Sequence, residues 1–198
     1  MPLHRNGLLP GLLLSILALA HPWLEQTMMR HMAIELPALF GIGWMAASFG
    51  GTRLSHGLRS WNAAGLPGLL CAVLVTMFWM VPTALDHAVL DEGAAITKVA
   101  SLVLAGFGAG ASWKAAGIVI QGFFVFSWCW MTLAIGLMYQ DAPQQLCSVY
   151  LIDEQFSAGV ALVVWAIVVL SLWLPHAFFS TRLLDDQGYS KKSAAHVS

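Results

Sequence analysis

Apolar residues run in long blocks along this chain, broken by short polar segments and without the period-two alternation of strands. Six blocks fall at about 7 to 23, 32 to 50, 65 to 84, 97 to 113, 117 to 139 and 157 to 178. A helix needs roughly 20 residues to cross about 30 Å of hydrocarbon, so the blocks are of spanning length. Unpaired backbone in lipid is costly, which leaves helices as the spanning solution. The pattern predicts an all-α, polytopic membrane helix bundle of about six transmembrane helices over residues 1–178. A polar, disordered cytoplasmic tail is expected over residues 179–198.

Finer features support that reading. Trp23, Trp61, Trp79, Trp113 and Trp173 fall near block ends, where an interfacial aromatic belt places them. Gly106, Gly108 and Gly110, with Ala105, Ala109 and Ala111, give the fourth block a small-residue face suited to close contact inside the bundle. With the amino terminus inside, the inner segments hold Arg5, Arg53, Arg59, Lys114, Arg182, Lys191 and Lys192, and the outer ones only Arg30 and Lys98. By the positive-inside rule both termini are cytoplasmic, and the expected location is a bacterial inner (plasma) membrane, crossed several times. Glu25, Asp86, Asp91, Glu92, Asp141, Asp153 and Glu154 then collect outside, a field that attracts cations.

Composition narrows the function. A hydrophobic fraction of 59%, only 10% charged residues and a mean hydropathy of +0.74 point to lipid as the solvent. A formal charge of −1 and the lack of a Gly-rich phosphate loop after a strand argue against nucleic acid or nucleotide partners. Cys71, Cys129 and Cys147 have no CxxC spacing, so a disulfide framework is not expected; Cys147, in an outer loop, is either a free thiol or a soft metal ligand. His4 and Arg5, the run from Leu8 to Leu19 and Ala18-Leu19-Ala20 also have the form of a signal peptide, whose cleavage would start the chain at His21 with a copper-chelating amine and imidazole.

Candidate chemistry concentrates in the stretch from His21 to Pro37, HPWLEQTMMRHMAIELP. If the second helix begins near Glu25, then Met28, His31 or Met32, and Glu35 follow at steps of three or four and share one face. Thioether with imidazole suits copper, particularly Cu(I), while imidazole with carboxylate also suits zinc or iron. The alternatives are that the methionines fill gaps between helices and that His31 is a satisfied interfacial residue. Glu35 lies about one turn into the outer leaflet, where an ionisable group is a functional candidate by default. Asp86 and His87 arrive at the same level from the third block, as donors or as a solvated loop. Asp153 and Glu154 sit where helix capping alone would explain them.

These residues resemble a known family. Thr27-Met28-Met29-Arg30-His31-Met32 with Pro37 looks like the His-Met-x-x-His-Met...Pro motif of the CtaG-like polytopic cytochrome c oxidase assembly proteins. Asp153-Glu154-Gln155-Phe156-Ser157-Ala158-Gly159 through Trp165 resembles that family's Asp-Gln-x-x-Ala-Gly...Trp segment, and Leu85-Asp86-His87 with Ala105-Gly106 and Trp113 resembles its central portion. Thr27 stands where the motif has its first histidine, and the fourth block lacks the histidine common there, Lys98 being the nearest polar residue. The resemblance implies a role in supplying copper to a haem-copper oxidase, with Met28, His31, Met32, Asp86, His87 and Asp153 as the matching positions.

The leading expectation is therefore a membrane copper-binding assembly factor, working from the extracytoplasmic face, with a respiratory oxidase subunit or a periplasmic copper donor as partner. Its candidate ligands are His31, Met28, Met32, His87, Asp86, Glu35, Asp153 and His21. One alternative is a haem b electron-transfer subunit with His31 and His87 as axial ligands; another is a non-catalytic accessory subunit of a membrane complex. With no nucleophile paired to a base and no HExxH, an enzyme is not expected.

Overall fold

Proline and side-chain caps mark several helix starts in this chain, although Pro10, Pro22 and Pro175 lie inside helices. The computed structural model describes residues 3–49 and 62–195, with side chains described within 8–49, at 62 and within 64–179. Arg53, His56, Arg59, Trp61 and His196 lie outside the described residues, as do the side chains of Arg5, Arg182, Lys191 and Lys192. The chain is all-α, with no strand among the described residues. We label the helices α1 (Leu3–Leu24), α2 (Met28–Phe49), α3 (Leu66–Trp79), α4 (Pro82–Leu90), α5 (Glu92–Trp113), α6 (Ile118–Asp141) and α7 (Ile152–Ala195).

Among the described residues, four helices are long and apolar enough to cross a membrane: α2, α5, α6 and α7 through Phe179. The third expected span is broken, because α3 and α4 meet at a bend of 75°. Pro82 explains the break: it has no backbone N–H to continue the helix, and it pushes Val81 into extended backbone (φ −75, ψ 131). If the bent pair is one span the total is five; the apolar part of α1, Leu8–Leu24, is shorter. Leu14 and Leu17 of α1 pack beside Leu36, Leu39 and Trp79, and the helix runs unbroken through the expected cleavage position after Ala20. α7 is helical to Ala195, covering most of the segment expected to be a disordered tail. Leu, Lys, Gln and Ala in that segment are good helix formers and extend a helix already nucleated in the bundle.

Close backbone approach at glycine fixes the packing. A Cβ on Gly43 would collide with the Val103 carbonyl, and one on Gly106 with the Phe40 carbonyl, so α2 and α5 touch backbone to backbone at two reciprocal points. Gly68 meets Gly108 in the same manner, which seats α3 on the other side of α5. The small-residue face of α5 thus lies inside the bundle, with Ala105 and Ala109 buried. A second pair forms where a Cβ on Gly136 would come to 2.8 Å of the Gly159 oxygen and one on Gly159 to 2.6 Å of the Gly136 oxygen, joining α6 to α7. Trp79, expected in an interfacial belt, is instead buried, its indole donating to Ser101 Oγ at 2.8 Å.

Because Gly106 has backbone against it and Gly41 has nothing within 4 Å, Gly106→Ala should destabilise the detergent-solubilised protein by about 1–3 kcal/mol. Gly41→Ala should leave the unfolding midpoint nearly unchanged. Equal midpoints for the two variants would show that the α2–α5 crossing is looser than described.

Candidate functional site

At one end of the bundle a polar cluster is assembled from four separate segments. α1 ends at Leu24 and a short turn carries Glu25; Thr27 then caps α2, its side chain accepting from Arg30 N at 3.4 Å. The first turns of α2 are not regular: His31–Glu35 form a π-helical turn, closed by Leu36 N donating to His31 O. Such a turn inserts one extra residue into the helix and is common where side chains must be re-aimed. The indole of Trp165 on α7 donates at 2.8 Å to the Ala33 carbonyl within this turn. Met28, His31, Met32 and Glu35 are all buried, but they do not share one face as helical spacing predicts. Met28 and Met32 enter an apolar cluster with Met80, Leu85, Tyr139, Cys147 and Tyr150, whereas His31 and Glu35 turn to the polar group.

Lys98 is the centre of that group. Asp91 caps α5 by accepting from Ala94 N at 2.7 Å, so the helix starts well before the expected position near 97 and Lys98 falls two turns inside it. Its side chain is fully buried, at 0% exposure, and reaches three acceptors: Glu35 Oε1 at 2.8 Å, Glu25 Oε1 at 3.3 Å and His31 Nε2 at 3.3 Å. An ammonium has three N–H donors, so all three are placed.

The other contacts follow from donor and acceptor logic. With Nε2 accepting from Lys98, neutral His31 carries its proton on Nδ1, which donates to the Tyr150 hydroxyl at 3.3 Å. Tyr150 in turn donates to the Glu25 carbonyl at 3.0 Å. Burial and the Glu25 and Glu35 carboxylates push the Tyr150 phenol above its ordinary range, which keeps that donor proton in place. At the margin, His21 Nε2 lies 3.2 Å from Glu25 Oε1 and 3.9 Å from Glu35 Oε1. His21 is 31% exposed and Glu25 17%, against 1% for Glu35, so the open margin of the cluster is at His21. Within this cluster, Glu35 Oε2 is buried with no hydrogen-bond partner among the described residues, as Asp86 Oδ1 is elsewhere; His31 Nδ1 stands 3.7 Å from Glu35 Oε2.

His21, Glu25 and Glu35 each offer a ligand atom within 4.8 Å of one another, a separation at which one metal ion can be shared. No family model, curated protein or solved structure matches this chain. Residue chemistry is therefore the ground for any functional reading.

Of the eight residues the sequence singles out, the structure gathers His21, His31 and Glu35. Met28 and Met32 lie in the adjoining apolar cluster, which shares Tyr150 with the polar group. Asp86 is engaged elsewhere, its Oδ2 accepting from Ser148 N at 2.7 Å and from Ser148 Oγ at 2.8 Å. His87 is exposed on α4 and is not among the partners of His31. Asp153 is exposed in the first turn of α7, where its charge complements the helix dipole. Its neighbour Gln155 is the buried member of that segment, accepting from Leu146 N at 2.8 Å and donating to Tyr139 O at 3.2 Å.

Glu25, Lys98 and Tyr150 are the members that the candidate set omits. A lone lysine at the edge of an apolar block was the available signal for Lys98; nothing in sequence marks Tyr150, which arrives from a loop. An apolar cavity of about 540 Å³ in mid-bundle, lined by Phe40, Trp44, Trp113, Trp128, Trp165 and Trp173 among others, shares no residue with the polar cluster.

Cys147 is buried, and burial followed by the nearby Asp86 carboxylate pushes its thiol up to about 12. It is then a thiol at neutral pH, and its thiolate gains only as pH rises toward that value. Native protein at pH 8 should leave Cys147 unalkylated by maleimide, with full labelling after denaturation. Rapid labelling of native protein would place the thiol at the surface.

Proposed function

We propose that this chain is a multi-pass membrane protein that binds a transition-metal ion, copper foremost, at the outer end of its bundle and passes it on during assembly of a respiratory haem-copper oxidase. The observation that carries this reading is Glu35 Oε2, a carboxylate oxygen buried without a partner beside two further carboxylate and imidazole donors. An unsatisfied anionic oxygen is expensive in a low-dielectric site unless a cation or proton completes it. The basic-residue asymmetry supports placing this end outside, with both termini cytoplasmic and α1 supplying a sixth span.

The donors gathered here modify the expected chemistry. One imidazole and two carboxylates suit Cu(II) or Zn(II) better than Cu(I). The softer donors Met28, Met32 and Met80 lie in the neighbouring cluster across Tyr150, so Cu(I) has thioethers close by without sharing the same ligand set. Motif resemblance to the CtaG-like assembly proteins supports an oxidase subunit or a periplasmic copper donor as partner. The haem b alternative finds less support: His31 has both ring nitrogens engaged, and His87 is exposed on α4.

Detergent-purified full chain, loaded with copper and freed of excess by gel filtration, is expected to retain about one ion per chain. Glu35→Gln and His21→Ala should each weaken binding by about tenfold or more, as losing a ligand exceeds the cost of losing an outer partner. A metal-free parent protein would reject this function, and a Soret band in the same sample would favour the haem alternative.

A further inference from the structure

The atoms that would hold a metal are already holding a cation. Lys98 Nζ is bound to Glu35 Oε1, Glu25 Oε1 and His31 Nε2, two of which belong to the group able to share an ion. We infer that the Lys98 ammonium is a resident competitor: it occupies the metal's place, and a divalent cation binds by displacing it. This rests on the metal-carrier reading above and states how that site is regulated and which charge it selects.

Charge and geometry give the selection. Two carboxylates and one ammonium leave the cluster with one formal negative charge, whereas a divalent ion in place of the ammonium leaves none. A monovalent ion gains no charge balance over the group it replaces. A divalent ion and the ammonium together at roughly 4 Å would repel strongly in a site shielded from water, so the two exclude one another. Lysine suits the part, being a compact, strongly hydrated charge on a flexible stem that can hold or leave one position without rebuilding the backbone. The side toward His21 is the more exposed, and an incoming ion meets that imidazole first. Competition keeps affinity below what the ligand set alone would give, a property suited to an ion that must be released.

Zinc is the probe, being divalent, colourless and redox-silent, and its affinity is read by competition with a chromogenic chelator on the detergent-purified full chain. Lys98→Met, which removes the charge at similar length, should bind Zn²⁺ at least about tenfold more tightly than the parent; Lys98→Arg, which keeps the charge, should bind no more tightly. Equal affinity in parent and Lys98→Met, lost in both on adding Glu35→Gln, overturns the competition and leaves the metal-carrier reading standing. Zinc held by Lys98→Met and not by the parent supports the competition. No zinc in either overturns the competition, and copper loading of the parent decides the carrier reading separately.

A measurement on the unaltered chain serves if Lys98→Met does not fold. Reductive methylation mapped by mass spectrometry should find Lys98 protected without zinc and modified with it, relative to Lys114. Protection that persists at saturating zinc refutes displacement.

Discussion

A positive charge sealed away from water organises this end of the molecule. A lone ammonium in an apolar interior would be prohibitively costly, and breaking a buried pair costs about 3–5 kcal/mol because the remaining charge is stranded. Lys98 avoids that cost only when the turn after α1, the start of α2 and the loop before α7 all arrive together, the first two with acceptors and the third with Tyr150 to hold them. The glycine crossings bring α2 against α5 closely enough for Glu35 to reach Lys98. Packing and electrostatics therefore specify one another here: neither the polar group nor the helix pair has its observed geometry without the other.

Much of the architecture was legible in the sequence. Block lengths gave helices of membrane-spanning type, and the small-residue face of α5 located the tightest contact. What the pattern misplaced came from local chemistry overriding hydropathy: Pro82 divides one apolar block into two helices, and the Asp91 cap starts α5 early enough to bury a lysine that block boundaries left near the surface. Trp79 was misplaced for a related reason, since position near a block end cannot reveal a Ser101 hydroxyl waiting on the adjacent helix.

The candidate site was legible in part. His21, His31 and Glu35 are recoverable from a stretch rich in donors, and they do converge. Helical spacing erred over the methionines because it assumed an uninterrupted α-helix from Glu25, whereas the chain turns at Glu25, restarts at Thr27 and passes through a π turn. Asp86 reads in sequence as a donor or a solvated-loop acid and Asp153 as a capping acid; in the fold the first fastens the loop at Ser148 and the second is exposed in the first turn of α7. Long-range partners such as Tyr150, which joins the sulfur-rich cluster to the ionic one, follow from tertiary packing that no local pattern encodes.

The π turn at His31–Glu35 also marks a place where length matters more than residue identity. Each residue of a regular helix advances the azimuth by about 100°, so one surplus position lets the segment ahead of it and the segment behind it look in directions that an unbroken helix could not combine. Excising a single residue there would leave composition and hydropathy almost untouched, yet would swing the whole amino-terminal part of the helix relative to Leu36 and Leu39. Point substitutions scan the chemistry of such a segment; only insertions and deletions scan its phase.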